Sequence, residues 1–202
     1  FAVDVSMFYQ SEEKNYGDFN GRWRAGVNLS NIGPKVELVL GGDESFIPTN
    51  LKMGGGFDFI LDNANTITTN LELNKLLVPT PPIRDSSGEV IAGKDDNVNF
   101  LTGMVQSWYD APRGFEEEME EFIWQVSAVY LYNDVFSVRA GYFHESANKG
   151  NRQFFTVGTG FKFRSTTLDV SYLINTSDVN NPLESTLRFS LTINLGDSYA
   201  YF

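Results

Sequence analysis

Residues that commonly carry out chemistry are scarce in this chain, which has one histidine and no cysteine. His144 stands beside Glu145, but no second histidine or cysteine is present to complete a metal site. There is no G-x-S-x-G sequence to supply a nucleophile, and no G-x-G-x-x-G sequence ahead of a helix to hold a phosphate. Gly54, Gly55 and Gly56 interrupt a strand-like pattern and indicate a bend or close packing by a plug instead. We therefore expect no catalytic residue, no metal and no cofactor, and a protein that is not an enzyme.

The segment 110–122, DAPRGFEEEMEEF, is a better candidate for binding. Phe115, Met119 and Phe122 recur at helical spacing, while the acidic residues fill the other face. An aspartate and a proline at its beginning provide a helix start. The apolar stripe of this helix either closes an opening of the protein or contacts a protein partner.

Basic residues are few, since the chain has a formal net charge of -11. No basic excess is available to neutralise phosphates, so the composition argues against nucleic acid as a partner. Lys149 and Arg152 occur together in the loop NKGNR, 148–152. They either lie in a solvated loop or pair with an anionic lipid such as lipopolysaccharide.

The segments that position these residues alternate in the way that β-strands do. In ESTLRFSLTINL, 184–195, apolar and polar side chains fall on opposite faces, with Leu187, Phe189, Leu191 and Ile193 on the apolar one. Similar alternation predicts about ten strands, near 1–9, 22–30, 51–61, 66–78, 97–108, 122–132, 135–145, 152–163, 167–175 and 185–195.

Strand length distinguishes the two architectures that fit this pattern. In a soluble sandwich the apolar faces line the core, whereas in an outer-membrane barrel they face lipid and the polar faces line the interior. The predicted strands have about 10 residues, as a tilted membrane-spanning strand needs, whereas strands of soluble domains average about 5 or 6. The aromatic content of 14% also suits a strand-rich chain. We predict an all-β protein, an antiparallel transmembrane β-barrel that forms one domain over 1–202, with one short helix in an outer loop.

This interpretation predicts where the strand charges and the sheet edges lie. An Arg or Lys that faces lipid near the midplane costs about 2–4 kcal/mol, so the strand charges should point inward. Phe1 begins the sequence inside a strand pattern, so we expect a longer protein in which 1–9 and 185–195 do not pair with each other. The charges expected inside are Arg22, Arg24, Lys52, Asp58, Glu72, Lys162, Asp169 and Arg188.

Large aromatic residues predict the membrane boundary, because Trp and Tyr favour the interface. If ten strands alternate in direction and the chain ends on the periplasmic side, Trp23, Trp108 and Trp124 share the outer rim. Tyr9 joins this girdle, and Tyr132 falls at the opposite rim.

The connections fit a barrel only in part. The same topology places the predicted helix outside the cell and the tight turns at 132–134 and 164–166 on the periplasmic side. It also places two long segments, 31–49 and 79–96, on the periplasmic side, where connections are usually short.

Several motifs together resemble one family. They are NIGPK at 31–35, FIPTNLKMGGGFDF at 46–59, LELNKLLVPTPP at 71–82, SWYDAPRGFEEEMEEF at 107–122, VRAGYFHESANKGNRQFFTVGTGFKF at 138–163 and NPLESTLRFSL at 181–191. In combination they resemble PorV, a family of FadL-like outer-membrane proteins of the Bacteroidetes type IX secretion system. The chain is similar to the C-terminal half of such a protein, whose barrel has about fourteen strands.

The resemblance implies a non-enzymatic role in the outer membrane of a Gram-negative cell. Such proteins receive cargo that carries a C-terminal signal domain from the translocon barrel. They deliver it to a surface sortase that removes the signal and attaches the cargo. No catalytic residue is implied, and the outer loops would supply the docking surface. A FadL-type channel for hydrophobic small molecules is the alternative, suggested by the shared fold and by inward residues such as Phe143 and Leu173.

Overall fold

The computed structural model of the chain describes residues 1–37, 41–42, 44–177 and 186–194. In chain order its elements are β1 (Val3–Gln10), β2 (Lys14–Asn15), β3 (Asn20–Ile32), β4 (Val36–Glu37), β5 (Glu44–Ser45), β6 (Asn50–Ile60), β7 (Asn65–Leu76), β8 (Ile83–Arg84), β9 (Val90–Ala92), α1 (Phe100–Gln106), α2 (Phe115–Glu120), β10 (Phe122–Tyr132), β11 (Phe136–His144), β12 (Gln153–Phe163), β13 (Thr166–Asn175) and β14 (Leu187–Ile193). Neither helix has the length and apolar character of a membrane-crossing helix.

One antiparallel sheet contains all the long strands, in the order β1-β3-β6-β7-β10-β11-β12-β13-β14, with β2 paired to β3. Each long strand lies next to its successor in this path, which is the meander that an up-and-down barrel requires. β1 and β14 are at opposite ends of the order and do not pair with each other in the described residues, so the sheet is not closed. The expectation that 1–9 and 185–195 do not pair is confirmed for the residues described; Ser185 and Leu195 lie outside them.

The outer face of this sheet is apolar and mostly exposed. We call outer the face that carries Leu187 and Phe189, and inner the opposite one. Phe189 is 68% exposed, and the other apolar residues of β14 are also exposed. Few apolar side chains are buried anywhere in the described residues, namely Phe57, Leu77, Ala111 and Leu173. The apolar face is therefore not the core of a sandwich.

The inner face carries the charges, as alternation predicts. Asp58 accepts hydrogen bonds from Arg22 Nε at 3.0 Å and from Thr68 Oγ1 at 2.7 Å, and its Oδ1 lies 3.0 Å from Arg24 Nη2. Asp58 is buried, so these partners compensate its lost hydration. Lys52 and Glu72 line a cavity of about 650 Å³ on this face, and Asp169 pairs with Arg139 at 2.7 Å. Lys162 and Arg188 share the inner face by alternation along β12 and β14.

Glycine allows close approach on the same face. A Cβ atom at Gly56 would lie 2.5 Å from Asn70 Oδ1 and 2.8 Å from the carbonyl oxygen of Thr69. Gly56 thus permits close packing between β6 and β7.

The predicted strand at 97–108 is wrong, because this segment contains α1. Asn99 caps α1, since its side chain accepts a hydrogen bond from the N–H of Thr102. Gly103 faces Phe46 and Pro79, where a Cβ would lie 2.7 Å from the Phe46 ring. A local cap and contacts with distant loops therefore override the apparent alternation. The other nine predicted strands are present, each within a few residues of the expected bounds.

Loss of that strand reverses the direction of every strand before it. The tight connections 61–64, 133–135 and 164–165 lie with 11–19 at one end of the sheet. The 77–121 and 145–152 connections lie at the other end, where β3 and β13 end and β6 and β14 begin. The placement of 31–49 and 79–96 with the tight turns is therefore wrong. We call these ends the short-turn end and the long-loop end.

The prediction that Trp23, Trp108, Trp124 and Tyr9 share one rim is wrong for the same reason. Trp23 and Trp124 begin strands that run in opposite directions, so they lie towards opposite ends of the sheet. Tyr9 lies near the short-turn end with Trp23, and Tyr132 is also at that end. Trp108 follows α1 and is in no strand. Large aromatic residues thus occur towards both ends.

Candidate functional site

The candidate site is the 77–121 loop, which joins β7 to β10 at the long-loop end and contains β8, β9, α1 and α2. Gly114 precedes α2 with a φ of 72°, a left-handed conformation that favours glycine. Three glutamates occupy the first turn of α2, where they interact favourably with the helix dipole. After α2 the chain passes through Glu121 into β10, so the sheet fixes the end of this helix.

A buried ion cluster attaches α2 to the outer face of the sheet. Lys75, near the end of β7, is 2% exposed. Its Nζ lies 2.7 Å from Glu121 Oε2 and 3.2 Å from Glu118 Oε2. The rings of Phe122 and Trp108 lie 5.2 Å and 5.8 Å from the same ammonium group. Two carboxylates and two aromatic faces therefore replace the water that burial removes from Lys75.

Lys149 extends this cluster to the 145–152 connection. Its Nζ donates to Glu117 Oε1 at 2.9 Å and to Glu121 Oε1 at 3.0 Å, and Thr80 Oγ1 also donates to Glu121. Burial raises the pKa of the Glu121 carboxyl, but the hydrogen bonds from Lys75, Thr80 and Lys149 outweigh it and hold that pKa below its usual range. The Glu121 carboxyl is thus ionised at neutral pH, and the cluster joins the 77–121 loop to the 145–152 connection.

Asp110 is a second buried carboxyl in the 77–121 loop, with 1% of its surface exposed. Its Oδ2 accepts a hydrogen bond from the N–H of Thr80 at 3.2 Å, but its Oδ1 has no hydrogen-bond partner among the described residues. The pKa of Asp110 is raised to about 6, mainly by burial and in part by the nearby Glu118 and Glu121 carboxylates. The folded loop therefore favours the protonated form of Asp110.

The predicted apolar stripe is divided between two elements. The helix predicted over 110–122 is shorter at both ends. It begins at Phe115 after Gly114 and not at the aspartate and proline, and it ends at Glu120, since Phe122 begins β10. Phe122 packs against Trp108, with ring centroids 6.1 Å apart. Phe115 is 80% exposed and Met119 is 53% exposed. Two members of the stripe therefore present an apolar surface, and the third anchors the loop.

The two predicted cations are already paired within the chain. Lys149 contacts Glu117 and Glu121 as described, and Arg152 Nε and Nη2 donate to Glu145 at 2.6 Å and 3.0 Å. An anionic lipid would have to compete with these carboxylates. The geometry favours a structural role for both cations in holding the connections at the long-loop end.

His144 lies in an aromatic group at the edge of this site. Its ring stacks on Trp124 with centroids 5.0 Å apart and an interplanar angle of 26°. Tyr142 and Phe155 continue the group, with centroids 4.6 Å apart. No set of three or more His, Asp or Glu residues in the described part of the chain is arranged to hold a metal ion.

Sequence reasoning missed Lys75 and Asp110. One signal for Lys75 was available, because it shares the outer face of β7 with Leu71 and Leu73. A charge on that apolar face requires a partner that covers it. Asp110 gave no comparable signal, since its burial depends on the folding of the whole loop.

The comparisons with known proteins concern the first part of the chain. Residues 1–83 match the family described as type IX secretion system protein PorV. No curated protein matches the chain. The matched segment covers the strands from β1 to β7, which contains Lys75 and leads into the 77–121 loop. The match confirms, over these residues, the resemblance of the chain to the PorV family.

Proposed function

We propose that the chain is part of an outer-membrane β-barrel whose outer face contacts lipid. The exposed apolar face of the whole sheet carries this proposal, because leaving so many large apolar residues in water forgoes about 1.5–3 kcal/mol for each. The charges on the inner face agree with it. Short turns are typical of the periplasmic end of such barrels, so the long-loop end is the extracellular one.

We propose further that the protein acts in type IX secretion as a non-enzymatic carrier. It receives cargo with a C-terminal signal domain from the translocon barrel and delivers the cargo to the surface sortase. The family match over residues 1–83 supports this role. The uncovered Phe115 and Met119 support a docking surface on α2, since exposed apolar clusters commonly contact partners.

A FadL-type channel for hydrophobic small molecules is the second candidate. Phe143 and Phe154 stack on the inner face with centroids 4.7 Å apart, and Leu173 is buried on the same face. Towards the short-turn end, however, Arg22, Arg24 and Asp58 occupy the inner face. A continuous apolar path is what such a channel needs, so this arrangement favours the carrier.

The carrier is tested by changing the exposed surface of α2. In the full-length protein, Phe115→Ser combined with Met119→Ser should reduce recovery of cargo or translocon in a pull-down. Ile91→Ser is the matched control, because Ile91 is an exposed apolar residue elsewhere in the 77–121 loop. Heat-modifiable migration on electrophoresis should show that all variants assemble. Unchanged recovery with the assembled double variant would remove α2 from the docking surface.

A further inference from the structure

A cleft lies between α2 and the outer face of the sheet at the long-loop end. Its volume is about 490 Å³, within the range of about 300–1,000 Å³ that small-molecule sites occupy. Its lining is Leu73, Met119, Glu120, Phe122, Trp124, His144 and Ser146.

The sheet forms one wall of the cleft and α2 forms the other. Leu73, Trp124 and His144 are neighbours in register across β7, β10 and β11, so their side chains share the outer face. Met119 and Glu120 approach from α2. The lining is mostly apolar, and its polar members lie on the loops and the strand end rather than in the middle of the wall.

Contacts outside the cleft fix the positions of its two walls. The Lys75 ion pairs fix α2 against the wall, and Lys149 joins α2 to the 145–152 connection. Glu120 is itself occupied, since its carboxylate accepts from Arg113 Nη2 at 2.5 Å and from Asn148 Nδ2 at 2.9 Å. A ligand therefore meets a preformed apolar surface without a free charge.

We propose that this cleft binds one acyl chain of an outer-leaflet lipid. The inference rests on the proposed membrane location. The cleft continues the exposed outer face, where Val126 and Phe155 would already contact acyl chains. Water in the cleft would find few hydrogen-bond partners. The nearby cations Arg113, Lys149 and Arg152 are paired with carboxylates, so the site recognises the chain rather than an anionic headgroup.

Quenching of tryptophan fluorescence tests the proposal. Phosphatidylcholine brominated in its acyl chains is titrated into detergent micelles that hold the full-length protein. The quenching that disappears in Trp124→Phe is that of Trp124 in the cleft. The quenching that disappears in Trp23→Phe measures ordinary lipid contact, because Trp23 is an exposed outer-face residue distant from the cleft. The Trp124 signal should saturate at a lipid fraction about tenfold lower than the Trp23 signal.

Filling the cleft with a larger side chain should abolish the earlier saturation of the Trp124 signal. Leu73→Phe adds volume to the lining and should move the Trp124 curve onto the Trp23 curve. Leu168→Phe is the control, since Leu168 is an exposed outer-face residue of β13 away from the cleft. Equal curves for both tryptophans in the unmodified protein would overturn the site while leaving the membrane location intact. Quenching of neither tryptophan would overturn both, because the outer face would then not contact lipid.

Discussion

Replacement of Lys75 by methionine should release the 77–121 loop from the sheet. Lys75→Met keeps the length of the side chain but removes the ammonium group that contacts Glu118 and Glu121 at 3.2 Å and 2.7 Å. Both carboxylates are nearly buried, so they would be left without their main counter-charge. Breaking a buried ion pair by removing one partner costs about 3–5 kcal/mol. The equilibrium for loop opening should therefore rise about a hundredfold or more.

Hydrogen–deuterium exchange with mass spectrometry measures this opening. The N–H of Ala111 donates to Glu118 Oε1 at 2.8 Å, and the N–H of Thr80 donates to Asp110. Both amides should exchange faster in Lys75→Met, while the amides of β11 and β12 should not change. Addition of Glu118→Gln and Glu121→Gln should restore most of the protection, because the uncompensated charges are then absent.

An exposed ion pair in the same loop provides the matched control. Arg84 lies 2.8 Å from Asp95 and 2.7 Å from Asp96, all well exposed to solvent. Arg84→Met should leave the exchange of Ala111 unchanged, since solvent-exposed pairs contribute little. Unaltered exchange in Lys75→Met would refute the role of the buried cluster. A triple variant as open as Lys75→Met would instead show that packing, and not charge, holds the loop.

Three further predictions concern groups that the fold buries or crowds. Because the pKa of Asp110 is raised to about 6, the folded loop binds this proton more tightly than the open loop. The stability of the loop should therefore fall by about 3 kcal/mol as pH rises from about 3 to about 7. Asp110→Asn should remove this fall in hydrogen exchange, and an identical pH dependence in both proteins would contradict it. Asp58→Asn removes a charge that pairs with two arginines, so the free energy of unfolding in urea should fall by about 1–3 kcal/mol. An unchanged urea midpoint would exclude this network from barrel stability. Gly56→Val should prevent assembly, measured by heat-modifiable migration, because its Cβ would lie 2.8 Å from the Thr69 carbonyl oxygen; normal assembly would show that the strands can separate.

The sequence alone determined the strands and their faces. Alternation is a local property, since adjacent strand side chains point in opposite directions whatever the rest of the chain does. It therefore gave nine of the long strands and the inward position of charges such as Asp58 and Arg24. Short motifs also indicated a resemblance to the PorV family, which the match over residues 1–83 supports.

The tertiary structure decided the direction of the strands and the construction of the site. Alternation within 97–108 could not exclude a helix, because the Asn99 cap and the packing of Gly103 against Phe46 depend on segments that fold elsewhere. One strand fewer reverses the ends of the sheet, so the girdle predicted from Trp23 and Trp124 could not survive.

The same limit applies to the functional residues. The spacing of Phe115 and Met119 predicted an apolar surface, and both are exposed on α2. Lys75, in contrast, holds the 77–121 loop only because Glu118 and Glu121, more than forty residues later in the chain, contact it in the folded protein. A sequence pattern specifies which face a side chain occupies, but burial and partners arise from contacts between distant segments, and these exist only in the folded protein.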